Sequence, residues 1–520
     1  MISLRIKNST IFLLLAVNFL VRLLITLLTN LGIDEVYYVQ YALNPSMSYF
    51  DHPPLVGWII RLFTFNLNFV YNDFFVRLGP LIIGTLNLFV IYKIGVLIKN
   101  KAVGFVSALI YSSSFYTSIL VGTFILPDTP LSFFWLLSIL LFLQFISKEE
   151  SKFYLLYIFG ISVGFGLASK YQAIFLWFGA GLYFLFYNRK IFLNYKFWCS
   201  VIISLLIFSP IIYWNLTSEY SGVNYHSERV GSSSWLPKSK YFFPELFGQI
   251  FYNNPFVVIL AIIATIRIIK IGFNNMDKKI VFLLLIGVPI IIVVLLMSFY
   301  NRTLPHWSGP GYFSLILITS YYCIHLANEK FNKKASKVII GGVIFFYMIC
   351  GLALIQIKNV FIPFSENSEI GKNNFAVDLG HWENIAYEIK DCIQKHNLNE
   401  TEISSTNYIL THNWFPAAHI DYYYALPNKM KLYVLGNYKK QHEYLKINKL
   451  RGAIPTESSA FYITTSNYFQ RPDNKLLDKF ESFNKLETIP LEIKGKTIAN
   501  IFIWKLNNLK EEINFNKPQL

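Results

Sequence analysis

Eleven apolar runs, each close to the length that crosses a bilayer, set the first limit on what this chain can become. They fall at roughly 11–29, 76–98, 104–122, 131–147, 154–169, 171–187, 197–213, 254–269, 280–299, 311–327 and 338–356. A helix rises about 1.5 Å per residue, so about 20 apolar residues span a hydrocarbon core of about 30 Å. Lipid offers no partners to backbone N–H and C=O groups, so such runs fold as helices. Composition agrees. The 520 residues are 54% hydrophobic and 15% charged, whereas a soluble domain carries about 25% charge. Mean hydropathy is +0.43. The expected class is a polytopic α-helical membrane protein with about 11–13 transmembrane helices, over residues 1–356.

Charge placement gives the sidedness. The formal net charge is +16, but the basic residues stand in short clusters between apolar runs. They occupy 5–7, 99–101, 148–152, 188–190, Lys270 with 277–279, and 328–337. These are alternate loops, as expected when Lys and Arg stay in the cytoplasm. The chain has no zinc-finger spacing, RNA-recognition motif or continuous basic helix, so nucleic acid is excluded as a partner. Loops 30–75, 123–130, 214–253 and 300–310 then face outward, together with the tail from about 357. The first run reads as an uncleaved helix, because no small-residue cleavage site follows it. Residues 357–520 are polar, with strand-like stretches at 431–438, 459–466 and 498–506 and a helical pattern at 381–397. They predict a small α/β domain outside the membrane. Cys392 stands alone in that tail, which rules out a disulfide within it.

The ionisable residues near membrane depth collect on the outer side, and their cost in lipid makes such a cluster a candidate site. Asp34, Glu35 and Tyr37 follow the first run. Asp51 and His52 open "DHPP", with Arg61 beyond. Asp128 sits in "FILPDTPLSFFW", Lys170 interrupts "GLASKYQAIF", His226 and Arg229 lie in "NYHSERV", and Arg302 and His306 lie in "YNRTLPHWSGPGY". Each has a plainer reading. Asp34 and Glu35 suit a solvated helix end. Asp128 suits a helix cap. Lys170 suits a side chain reaching toward the interface, and the prolines of "DHPP" suit a merely rigid loop.

Taken in order, "DEVYY", "YFDHPPLVGWIIRLF", "PDTPLSFFW", "LASKY" and "LPHWSGPGY" resemble the polyprenyl-phosphate-sugar-dependent glycosyltransferases of the GT-C superfamily. The closer branch is glycosyltransferase family 39 and the bacterial aminoarabinose transferases of lipid A. The resemblance runs, with gaps, from about 10 to 450 and includes 413–445 of the tail. It implies an inverting transfer of a sugar from a polyprenyl (undecaprenyl) phosphate to lipid A or another envelope glycolipid. That transfer takes place at the periplasmic face of the bacterial inner membrane. It implies catalytic roles for Asp34 and Asp128. A lysine in that branch follows the loop acid and binds phosphate. Here His52 stands in its place, so the donor phosphate falls to His52, Arg61, Lys170, Arg229 and Arg302. No cofactor is required, and zinc on Asp51 with His226 is the one metal site the branch suggests. The absence of a Gly-rich phosphate loop fits a lipid-borne donor. Protein O-mannosylation is the alternative within enzymes. A lipid-linked sugar transporter or flippase is the alternative of another class, for which inverted repeats are expected.

Overall fold

The computed structural model describes residues 7–147, 152–218, 227, 239–272, 275–362, 374–396 and 407–515. The main helices in chain order are α1 (Asn8–Leu28), α2 (Ile33–Leu43), α3 (Leu55–Phe63), α4 (Asp73–Ile98), α5 (Lys101–Ser112), α6 (Asp128–Ile146), α7 (Phe153–Ser169), α8 (Ile174–Tyr187) and α9 (Tyr195–Thr217). There follow α10 (Ser239–Tyr252), α11 (Pro255–Ile269), α12 (Lys278–Met297), α13 (Gly309–Tyr321), α14 (Glu329–Asn359), α15 (Trp382–His396), α16 (Trp414–Ile420) and α17 (Tyr444–Arg451). All eleven apolar runs are helical over most of their length. Among the described residues, six helices are long and apolar enough to cross a membrane alone: α1, α4, α6, α9, α12 and α14. The pair α10 and α11, bent by 99° at its break, brings the number to seven when it is counted as one span. Helices α5, α7 and α8 are apolar but shorter. The protein is therefore a multi-pass membrane protein. Phe12, Leu13, Leu20 and Leu24 of α1 are exposed; a stripe of this kind suits contact with lipid and would be a liability in water.

The chain forms two compact units. The first comprises Met1–Ile25, Pro45–Phe63 and Arg77–Cys350. At its centre every residue of α13 is buried, as expected of a helix that is apolar all round. Helix α12 packs on α13 and α8, and α7 packs on α6 and α9. The α7–α9 contact depends on a missing side chain, since a Cβ on Gly160 would lie 2.3 Å from the Ser200 carbonyl oxygen. The close approach lets the Ser204 hydroxyl donate to the Gly160 carbonyl at 2.5 Å. One buried charge lies in α1, where the Arg22 guanidinium donates to Thr85 Oγ1 (2.8 Å) and to the Gly122 carbonyl (3.2 Å).

The second unit comprises Thr26–Asn44, Thr64–Val76 and Gly351–Leu520. It holds a five-stranded sheet of β1 (Tyr408–Thr411), β2 (Lys431–Val434), β3 (Ala460–Thr465), β4 (Phe480–Ile493) and β5 (Lys496–Leu509), in the order β2-β1-β3-β5-β4. Strand β1 runs parallel to β2 and β3, while β3–β5 and β4–β5 are antiparallel. The long β4–β5 hairpin turns on Lys494 and Gly495, both at positive φ (52° and 74°), the backbone that matches strand twist in a two-residue loop. All three strand-like stretches of the sequence appear as β2, β3 and β5, and the helical pattern appears as α15. Helix α2 belongs to this unit through Gln40, whose amide donates to buried Asp421 at 3.1 Å. Tyr444 and Arg451 of α17 complete that cluster, at 3.0 and 2.6 Å from the same carboxylate oxygen.

Candidate active site

In the first unit, α6 begins at Asp128, after Pro127. The carboxylate does not cap its own helix. One oxygen, Oδ2, accepts from Lys170 Nζ at 2.8 Å, and the other, Oδ1, accepts from the Tyr116 hydroxyl at 3.1 Å. The two charged side chains are 4% and 6% exposed, so the reading of Lys170 as a side chain reaching toward the interface does not hold. Its place follows from the backbone. Lys170 stands at the break between α7 and the short turn Tyr171–Ala173, with extended φ and ψ of −161° and 136°. Desolvating such a pair costs several kcal/mol per ion, and removing one partner costs about 3–5 kcal/mol. A pair this expensive is a weak device for stability, and its presence in an apolar bundle points to function.

Residues of the "DHPP", "PDTP", "LASKY" and "LPHWSGPGY" stretches lie at or near this pair. Tyr116 lies in a π-helical turn, Tyr116–Leu120, and its ring covers Gly309, where a Cβ would fall 2.1 Å from the ring. The glycine of "PHWSGPGY" is thereby required for the Tyr116–Asp128 bond. Gln172, two residues after Lys170, donates to the Trp307 carbonyl at 3.3 Å. His306, half-buried on the turn Pro305–Ser308, and His52 both lie within electrostatic reach of Asp128. The "DHPP" loop is held by the Tyr49 amide donating to the His52 carbonyl at 3.2 Å. Asp51 is buried, His52 is half-buried, and α3, which follows them, packs on α6 and α7.

The other predicted residues are placed as follows. Arg61 is half-buried in the last turn of α3, about 9 Å along the axis from Leu55. Arg302 is exposed after α12. His226 and Arg229 lie outside the described residues, so the pairing of Asp51 with His226 around zinc is described on one side alone. Asp34, Glu35 and Tyr37 belong to the second unit. Asp34 is exposed in the first turn of α2. Glu35 is 1% exposed and accepts from the Gly32 amide at 2.8 Å, which gives it the part of a helix cap. Tyr37 is buried and its hydroxyl accepts from the Glu443 amide at 3.2 Å. Two residues of the first unit escaped the sequence reading. Tyr116 sits in an apolar run, and nothing local marks it. Glu245 of α10 is 2% exposed and accepts from Gln249 (2.8 Å) and Thr303 (2.7 Å). A lone carboxylate inside "FFPELFGQIF" was its signal.

The profile of the dolichyl-phosphate-mannose-protein mannosyltransferase family matches residues 51–214, a segment that contains Asp51, His52, Asp128 and Lys170. The whole fold superposes on the crystal structure of ArnT from Cupriavidus metallidurans bound to undecaprenyl phosphate. That match has a TM-score of 0.62 at 13% identity and covers 96% of this chain and 98% of that one. The chain shares the GT-C fold of that structure. A second GT-C structure, oligosaccharyltransferase AglB from Archaeoglobus fulgidus in complex with an inhibitory peptide and a dolichol-phosphate, matches with a TM-score of 0.51 at 11% identity. It covers 88% of this chain and 69% of that one. In sequence, this chain is 23% identical over 297 residues to the lipid A galacturonosyltransferase RgtD of Rhizobium johnstonii. That alignment spans 55% of this chain and 59% of the relative, less than two thirds of its length.

Proposed function

We propose that this glycosyltransferase moves a sugar from a polyprenyl (undecaprenyl) phosphate carrier to lipid A or another envelope glycolipid, at the periplasmic face of the bacterial inner membrane. The observation that carries this reading is the buried Lys170–Asp128 pair, set in the segment that the mannosyltransferase profile matches. In the proposed reaction an acceptor hydroxyl attacks the anomeric carbon. The bond from that carbon to the phosphate oxygen breaks with inversion, and the acceptor proton leaves to a carboxylate. Charge develops on the carrier phosphate, and a preorganised cation in a dry site stabilises it most effectively. Lys170 fills that role, with Asp128 and Tyr116 as positioning residues that fix its ammonium group. His52 and His306 stand beside them. Asp34 is the base by its motif position. Alternation of Lys and Arg between loops supports the outward orientation, and no cofactor enters this scheme.

Protein O-mannosylation stays as a second reading because the matched profile carries that description. Mass spectrometry of lipid A and of envelope glycoproteins, from cells with and without the gene, separates the two. A sugar lost from lipid A supports the proposal. A hexose lost from proteins with lipid A unchanged rejects it.

A further inference from the structure

We propose that Cys392, His396 and Glu487 form a zinc site in the second unit, remote in sequence from the transferase residues and independent of the transferase reading. Cys392 and His396 lie one turn apart on α15, and i,i+4 side chains share a helix face. Cys392 is buried and His396 is exposed. Glu487 comes from β4, on which α15 packs. The β4–β5 register slips between Lys485 and Glu487, and a bulge of this kind redirects the side chain that follows it. One ligand atom from each of the three residues lies within 4.8 Å of the others.

The chemistry selects the metal. A thiolate with an imidazole and a carboxylate suits zinc, whereas magnesium and calcium take oxygen ligands. With Zn–S near 2.3 Å and Zn–N near 2.05 Å, tetrahedral geometry sets sulfur and nitrogen about 3.6 Å apart. Cys392 Sγ and His396 Nδ1 are 3.9 Å apart, a small closure for an exposed ring. That ring nitrogen now donates to the Cys392 carbonyl at 2.9 Å, a bond exchanged for the metal. As the Zn–S and Zn–N bonds form, the thiol proton leaves to solvent, and the Nδ1 proton is lost to solvent while Nε2 takes one up, so that the neutral ring binds through Nδ1. Three protein ligands leave the fourth position to water. The ion would pin the end of α15 to β4.

The test uses the full chain in detergent, stripped with a chelator, equilibrated with zinc chloride and freed of unbound metal. Wild type should retain one zinc per chain more than His396→Ala or Cys392→Ser. Cobalt in place of zinc should give a thiolate-to-cobalt charge-transfer band in wild type that Cys392→Ser lacks. His396 is exposed, so its variant reports even if Cys392→Ser misfolds. Equal zinc content in wild type and His396→Ala, or a wild type that retains none, overturns the site.

Discussion

Lys170 and Asp128 carry the most consequence of any two residues, because structural and catalytic roles coincide there and can be separated. Lys170→Met leaves the Asp128 carboxylate buried without its cation, at a cost of about 3–5 kcal/mol. Adding Asp128→Leu removes the stranded charge, and the double variant should recover most of that stability. Transfer should stay abolished, since the buried cation that stabilises the departing phosphate is then gone. Thermal unfolding in detergent, run beside a transfer assay, measures both. A double variant that is stable and active would make the pair structural only. Asp34 offers the opposite test because it is exposed in the first turn of α2. Asp34→Asn should cost no more than about 1 kcal/mol of stability, the scale of an acid in a helix's first turn, yet lower transfer by about 10²–10⁴-fold. Turnover near wild type in that variant would remove Asp34 as the base.

Among the elements, α16 gives a pH-dependent test. His419 of α16 is buried, stacks on Trp382 at 3.9 Å and contacts the Leu31 carbonyl through Nε2 at 3.0 Å. Burial pulls its imidazole down from 6.5 to about 3. Between those values the unfolded chain takes up a proton and the folded chain does not. Stability of the second unit is therefore full above pH 6.5 and falls as pH drops toward 3, by up to about 1.4 kcal/mol per unit. Burial holds His412 and His381 down as well, and they add to the same slope. His419→Phe should keep the stack and flatten the slope between pH 7.5 and 5; hydrogen exchange of the sheet amides would show it. An unchanged slope would contradict the account. The elements differ in how far the sequence revealed them. The apolar runs, β2, β3, β5 and α15 were readable, because each rests on a local hydrophobic pattern. The grouping of Thr26–Asn44 and Thr64–Val76 with the tail was not, because it depends on pairings such as Gln40 with Asp421, 381 positions apart. Lys170 and Asp128 were each visible as oddities in apolar sequence, but their pairing needs the fold. Tyr116 needed it more, since only its contact with Gly309 and its bond to Asp128 distinguish it from other membrane tyrosines.

For the molecule as a whole, topology and activity stand together. The alternation of basic loops predicts the N-terminus in the cytoplasm and residue 450 in the periplasm. Cysteine-accessibility labelling of a residue-450 variant in intact cells should therefore succeed with a membrane-impermeant reagent. Labelling only after lysis would put the tail, and the proposed outward reaction, on the wrong side. The central claim is that this chain transfers a sugar from a polyprenyl phosphate to lipid A or another envelope glycolipid, with Lys170 and Asp128 at the reaction. Its most direct test is the mass of lipid A and the other envelope glycolipids of the same cells, incubated with the purified protein in nanodiscs and a carrier-lipid extract. The account predicts a gain of one sugar residue with wild type and none with the Lys170→Met, Asp128→Leu double variant. No gain with wild type, or an equal gain with the double variant, would contradict it.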